Sequence, residues 1–141
     1  MRSYNAWVPD IPIGTKGEFK LVVTPELCID FLGIEGARVF GTPWMIWYME
    51  LTARDSVKAL LGEGLDTVGT HVSVRHLAAT PLGMEVTFLS EVIGGGERRI
   101  RFRVQAFDSQ EKIGEGFHER GIINVERFAS RVAAKSSAFS G

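Results

Sequence analysis

Three residues of this 141-residue chain carry side chains that can work on an acyl group: Thr42, Glu50 and His76. A hydroxyl can position water or a carbonyl oxygen, a carboxylate can act as base or nucleophile, and an imidazole moves protons near neutral pH. Glu50 follows the apolar run at positions 44–49, where burial normally excludes a charged group. If the fold brings these groups to one substrate, hydrolysis of an ester or thioester is the chemistry that they predict.

Glu50 has two interpretations. Between Met49 and Leu51, a carboxylate in an apolar helix finds a cationic partner or belongs to a functional site. The alternative, with no functional role, is a surface ion pair with Arg54, four residues later on the same helix face. The local pattern favours neither.

His76 falls on the strand face that also carries Val72 and Val74, so we expect it to point toward the core. A hydrogen-bonded core histidine is the alternative to a catalytic one. His71 is five residues away and lies on the opposite face, so the two cannot share a metal ion. No spacing typical of a metal site occurs, and we expect neither a metal nor a cofactor.

Thr42 precedes Pro43, a combination typical of a helix start in which threonine is the N-cap. Capping alone could explain the residue. A helix N-terminus also offers N–H groups and a dipole to a developing oxyanion. Eight residues of helix span roughly 12 Å, so Thr42 and Glu50 of one chain either flank a substrate or serve one site from different subunits.

The elements that must position these residues follow from periodicity and turn signals. We predict a strand at 18–24, a lid-like loop or short helix at 25–41, and a buried helix from Thr42 to about Leu60 or Leu61. Four strands in a consecutive meander follow at 68–78, 84–93, 98–107 and 112–125, and then a basic, partly helical tail. This order predicts one α+β domain over residues 1–141: a hot-dog fold, with about five antiparallel strands wrapped around one long central helix. Its uncovered sheet edge predicts a dimer.

Composition excludes several classes of protein. Sixteen basic and 17 acidic residues nearly cancel, so we expect no nucleic-acid partner. The run at 44–49 is too short to span a membrane, and Trp7, Pro9 and Pro12 do not form a secretory signal. Cys28 is the only cysteine, which favours a reducing, cytoplasmic setting.

The combination of motifs resembles the fluoroacetyl-CoA thioesterase group of hot-dog proteins over about residues 17–135. It consists of Thr42, Met49-Glu50, Gly69-Thr70, His76 with Ala78-Ala79-Thr80-Pro81 and Gly83, and His118-Glu119-Arg120. The resemblance implies a homodimer that hydrolyses short acyl-CoA thioesters without a metal, with catalytic roles for Thr42, Glu50 and His76. It also implies substrate-binding positions at Gly69, Arg120 and Gly36.

The lid departs from that group. The fluoroacetyl-specific member gates its pocket with phenylalanines, and this chain has Gly33 and Gly36 at the corresponding positions. Glycines cannot form such a gate, which argues against fluoroacetyl specificity but leaves thioester hydrolysis in place.

One rival from the same fold is an enoyl-CoA hydratase, whose helix-borne aspartate and histidine pair is not visible here. The other is a non-catalytic protein that binds acyl-CoA or another small ligand.

Overall fold

Five antiparallel strands and one long helix make up the body of the protein in a computed structural model, which describes residues 9–140. The predicted domain and its extended lead-in reach beyond these residues. The elements are β1 (Lys16–Val22), α1 (Thr42–Lys58), β2 (Leu65–His76), β3 (Glu85–Gly96), β4 (Arg99–Phe107), β5 (Lys112–Asn124) and α2 (Val125–Ser140). Two short 3-10 turns, Pro25–Leu27 and Glu35–Ala37, lie in the predicted lid segment.

The strands pair in the order β1-β3-β4-β5-β2, and every pairing is antiparallel. The predicted four-strand meander is therefore wrong: only β3, β4 and β5 follow one another, and β2 crosses over to pair with β5. Alternation along a strand fixes its faces but does not fix its neighbour. The segment after β2 does not close a hairpin. Its residue Thr80 accepts from the Phe40 N–H instead, and β3 does not pair with β2. This order leaves β2 as an edge strand.

β4 shows most clearly why the sheet forms. Four inward side chains are buried and three arginines on the other face are exposed, as the alternation predicts: Ile100, Phe102, Val104 and Ala106 against Arg99, Arg101 and Arg103. Arg103 pairs with Glu91 at 3.7 Å, and Arg101 lies over the Phe117 ring. The arginine row is thus an ordinary solvated sheet face.

Helix α1 lies across the inner face of this sheet. Its buried stripe recurs every four residues, at Met45, Met49, Ala53 and Val57. The prediction of a buried helix holds for this stripe but not for the opposite side, because within the single chain Trp44 is 41% and Trp47 48% exposed. A single sheet covers one side of a helix, so the tryptophan side remains open. The helix also ends at Lys58, before the predicted Leu60 or Leu61.

Two glycines let β5 approach its neighbours. A Cβ added to Gly116 would lie only 2.2 Å from the Ser73 carbonyl oxygen on β2. One added to Gly114 would lie 2.5 Å from Met45 Sδ on α1. A side chain at either position would therefore clash, and the two glycines allow the edge strand and the helix to pack close to β5.

No helix within residues 9–140 is both long enough and apolar enough to span a membrane.

Candidate functional site

Thr42 and His76 lie in direct contact. Thr42 Oγ1 is 2.6 Å from His76 Nδ1, across 34 residues of sequence. The N-cap of α1 is Gly41, so Thr42 is the first helical residue and its hydroxyl makes no capping bond. The prediction of an N-cap threonine is therefore wrong by one position. The displacement matters because the hydroxyl bonds the histidine instead of the helix backbone.

Backbone hydrogen bonds hold the two segments that carry this pair. The Phe40 N–H donates to the Thr80 carbonyl at 2.9 Å, and the Gly41 N–H donates to the Leu27 carbonyl at 2.8 Å. Val39 also forms a bridge with Pro81. Thr42 and His76 therefore meet at a joint between the start of α1 and the segment that follows β2.

The buried hydroxyl of Thr80 anchors this joint to the β4–β5 turn by donating to Asp108 Oδ2 at 2.9 Å. Asp108 Oδ1 in turn accepts from the N–H groups of Gln110 and Glu111. Burial alone would raise the pKa of Asp108, but these hydrogen bonds outweigh it and lower that pKa. The joint is thus fastened to a charged, well-bonded carboxylate.

The two ring nitrogens of His76 differ in their surroundings, and only Nδ1 contacts Thr42. Nε2 is buried and has no hydrogen-bond partner among the described residues. Burial lowers the pKa of His76, and the neighbouring Ala78 backbone partly opposes this effect. The ring is therefore neutral at neutral pH, and its unsatisfied nitrogen is available to a polar atom of a ligand.

The N-terminus of α1 offers few donors. Pro43 has no N–H, and the N–H groups of Trp44 and Met45 both point to the Gly41 carbonyl. The Thr42 N–H lies at the positive end of the helix dipole, beside the hydroxyl that contacts His76. An oxygen that gains negative charge would be stabilised there.

Glu50 lies elsewhere, against the backbone of β2. Its Oε1 is 2.8 Å from the position that a Cβ on Gly69 would occupy. The alternative of a surface pair with Arg54 is contradicted, because Arg54 makes a bidentate pair with Asp66, with Nε at 3.0 Å from Oδ1. Glu50 is half-buried, and its carboxylate lies in the cluster of side chains around Gly69.

Arg120 and His118 complete that cluster. Arg120 is 7% exposed and donates twice to Thr67, from Nε to Oγ1 at 2.7 Å and from Nη2 to the carbonyl at 2.9 Å. Its Nη1 lies 3.0 Å from His118 Nε2. Burial lowers the pKa of Arg120, while the charges of Glu50 and Asp66 oppose that shift.

His118 had no functional role in the sequence interpretation, although a signal was present. His118 and Arg120 alternate with outward residues, so two basic side chains point inward from one strand. The ring lies beside Gly69, since a Cβ there would be 3.3 Å from His118 Cε1. Two inward basic groups on a buried strand indicate a polar site.

The residues predicted for the site thus form two clusters in one chain. Thr42 meets His76 at the start of α1. Glu50 lies beside Gly69 and His118 two turns along, and Arg120 contacts His118. Gly36 joins neither, because a Cβ added to it would have nothing within 4 Å. Within residues 9–140 no three His, Cys, Asp or Glu side chains converge as a metal site would require.

Known proteins resemble this chain in sequence and in fold. A curated relative, the fluoroacetyl-CoA thioesterase of Streptantibioticus cattleyicolor, is 38% identical over 132 residues, covering 89% of this chain and 95% of its own. A solved structure of the fluoroacetyl-CoA thioesterase FlK superposes with a TM-score of 0.81 at 32% identity, over 89% of this chain and 98% of that one. A thioesterase superfamily member from Thermus thermophilus gives a TM-score of 0.84 at 30% identity, over 93% and 97% of the two chains.

The fold is also shared more widely. A hot-dog-like protein from Thermanaerovibrio acidaminovorans matches with a TM-score of 0.80 at 23% identity, over 88% of this chain and 92% of that one. The predicted α+β hot-dog fold is therefore confirmed. The family model described as fluoroacetyl-CoA-specific thioesterase matches residues 23–126, which include every residue of both clusters. The prediction of a thioester hydrolase is confirmed at this level, and the chain belongs to the fluoroacetyl-CoA-specific thioesterase family.

Proposed function

We propose that the protein hydrolyses a short acyl-CoA thioester to the free acid and CoA, without a metal or cofactor. The observation that carries this proposal is the 2.6 Å contact between Thr42 Oγ1 and His76 Nδ1 at the N-terminus of α1. The contact places a hydroxyl, an N–H and a neutral imidazole around one spot. The unpaired Cys28 thiol supports a reducing, cytoplasmic location.

The thioester carbonyl oxygen binds at the Thr42 N–H, where the helix dipole favours the charge that develops during attack. The Thr42 hydroxyl donates to Nδ1 of the neutral His76 ring, and its oxygen accepts from the attacking water and positions it. Glu50 removes a proton from the attacking water, the C–S bond breaks, and CoA leaves as a thiolate that takes up a proton. A thiolate leaves readily, so modest acid–base assistance is enough.

Glu50 could instead attack the carbonyl and form a mixed anhydride, which water then opens. Single-turnover hydrolysis in ¹⁸O-labelled water detects the anhydride route when water opens the anhydride at the glutamyl carbon. Direct attack by water places the label in the released acid. An anhydride that water opens at the glutamyl carbon places it first in the Glu50 carboxylate.

Two protomers supply one site in this proposal. Thr42 and Glu50 stand roughly 12 Å apart on α1, and each has its own neighbours in the chain. The exposed edge strand β2 and the exposed Trp44 and Trp47 are surfaces that a second copy would cover. In such a homodimer, Thr42 and His76 of one protomer face a substrate that Glu50 of the other protomer serves.

The glycines of the lid segment, residues 25–41, favour a site that accepts other short acyl groups as well as fluoroacetyl. Gly33 has a φ of +78°, a conformation that other residues rarely adopt, and a Cβ on Gly33 or Gly36 would point into open space. Neither position can close an aromatic gate over the acyl group. We therefore expect little preference for fluoroacetyl-CoA over acetyl-CoA or propionyl-CoA.

Release of free thiol from a panel of short acyl-CoAs tests the function. The wild type should turn over at least one member, and Thr42→Ala, Glu50→Gln and His76→Ala should each be slower by about 100-fold or more. A wild type that binds acyl-CoA but releases no thiol is a binding protein. A wild type that is active, with all three variants equally active, has its site elsewhere.

A further inference from the structure

His118 is a buried titratable group that the proposed reaction does not use. Its side chain is 1% exposed and stacks beside Phe102, with the ring centroids 6.1 Å apart. Both ring nitrogens have partners: Nδ1 lies 2.8 Å from the His71 carbonyl oxygen, and Nε2 lies 3.0 Å from Arg120 Nη1. A buried imidazole bonded on both sides has a fixed orientation.

The partners also fix its proton. A carbonyl oxygen only accepts, so Nδ1 must carry hydrogen, and a guanidinium only donates, so Nε2 must be the acceptor. The ring is then neutral, with one tautomer. Burial lowers the pKa of His118 as this arrangement requires. The groups that face it are Arg120 on its own strand, Glu50 on α1 and His71 on β2, and β4 contributes the apolar Phe102.

Arg120 needs a counter-charge, because a buried guanidinium without one is costly. Its neighbour across the β2–β5 pairing is Gly69, the residue against which the Glu50 carboxylate lies. Thr67 holds the guanidinium from one side and His118 holds it from the other. Glu50 and Asp66 are the nearby acids whose charges favour the guanidinium, and Asp66 is paired with Arg54, so Glu50 is the counter-charge that remains.

We propose that His118 is a positioning residue: its neutral ring, by accepting from Arg120, holds the guanidinium beside Gly69, where it orients the Glu50 carboxylate. The proposal rests on the role given to Glu50 in thioester hydrolysis. It assigns His118 no contact with substrate. Hydrogen bonds link Arg120, His118 and the His71 carbonyl of β2. The charge of Arg120 acts on the Glu50 carboxylate of α1, which lies against Gly69.

Two amide substitutions separate the hydrogen bonds of the ring. In His118→Gln the amide oxygen can reach the position of Nε2 and accept from Arg120. In His118→Asn the amide nitrogen can occupy the position of Nδ1 and donate to the His71 carbonyl, but Arg120 loses its acceptor. We expect kcat to fall by about tenfold or more in His118→Asn and to stay within a few-fold of wild type in His118→Gln. KM should be similar in both. Equal kcat values in the two variants would overturn the proposal.

The ¹⁵N NMR spectrum of the wild-type histidine rings gives a readout that requires neither activity nor a variant. At pH 7 the His118 ring should show a protonated Nδ1 and an unprotonated Nε2. A ring protonated at Nε2, or at both nitrogens, contradicts the proposal even if the protein is an active thioesterase. A wild type with the expected ring but no thioesterase activity would refute the proposed function and with it the catalytic role of the arrangement.

Discussion

The Glu50 carboxylate occupies space that only a glycine at position 69 leaves free. Glu50 Oε1 lies 2.8 Å from where the Cβ of any other residue would be, and His118 Cε1 borders the same point at 3.3 Å. Gly69 therefore contributes to the site by its lack of a side chain. The resemblance implied a substrate-binding role for it, and the structure supplies a physical reason for glycine there.

Gly69→Ala should displace Glu50 and lower kcat by about tenfold or more, because the carboxylate loses its alignment. Stability should fall by roughly 1–3 kcal/mol from the forced contact. Steady-state kinetics and denaturant unfolding measure the two effects. Gly62→Ala is the matched control, since its added Cβ meets only Leu65 at 3.9 Å. Unchanged kinetics in Gly69→Ala would show that the position of Glu50 does not matter.

Thr80→Val should weaken catalysis without touching the candidate residues. The substitution removes the hydroxyl that anchors the joint to Asp108, so Thr42 and His76 lose their fixed separation. We expect kcat to fall several-fold, and stability to fall by about 1–3 kcal/mol because Asp108 loses a buried donor. Thr80→Ser should restore both. Thr15→Val, which removes a surface bond to the Pro12 carbonyl, serves as the control. Wild-type kcat in Thr80→Val would mean that the joint is not needed.

The pH profile of kcat/KM should show an acid limb below 6.5, the ordinary pKa of histidine, because burial lowers the pKa of His76 and the proposed role needs a neutral ring. Rates measured from pH 4 to 8 with one acyl-CoA check this expectation. A profile that stays flat over the whole range from pH 4 to 8 would count against a role for His76. A limb above pH 7 would contradict the direction of its pKa shift.

Stability should depend on pH through the same physics. The folded-state pKa values of His76 and His118 are lowered, so below about pH 6.5 the unfolded chain binds protons that the folded chain does not. The free energy of unfolding should therefore be constant above neutral pH and decline as pH falls through that range. The slope is at most about 1.4 kcal/mol per pH unit for each histidine.

Denaturant unfolding at fixed protein concentration, repeated between pH 5 and 8, measures this decline. His118→Gln should reduce the slope, because one of the two buried rings is gone. His71→Gln, which replaces an exposed ring, serves as the control variant. An identical slope in wild type and His118→Gln would show that His118 does not titrate differently on unfolding.

Much of the fold could be predicted from the sequence because periodicity reports faces directly. The alternation of β4 identified its buried side chains, and the Thr42-Pro43 pair located the start of α1 to within one residue. The strand bounds shifted by only a few residues. Each of these features depends on neighbours in sequence.

What depends on distant contacts could not be read in the same way. The pairing of β2 with β5 follows from a crossover that alternation does not encode. The exposure of Trp44 and Trp47 depends on how far one sheet extends around α1. The role proposed for His118 depends on a carbonyl that β2 brings to its ring from 47 residues away. Arg54 pairs with Asp66 and not with Glu50 because β2 lies beside the helix, which alternation along the chain does not encode.

The central claim is that Thr42 and His76 of one protomer work with Glu50 of its partner. Mixing Thr42→Ala with Glu50→Gln after unfolding and refolding together tests it most directly. Half of the randomly formed dimers would be mixed, and each would hold one intact site, so about a quarter of wild-type thiol release should return. Thr42→Ala mixed with His76→Ala damages the same cluster in both chains and should recover nothing. Recovery confined to the first mixture is the predicted result, and no recovery in either mixture would contradict a site shared between two chains.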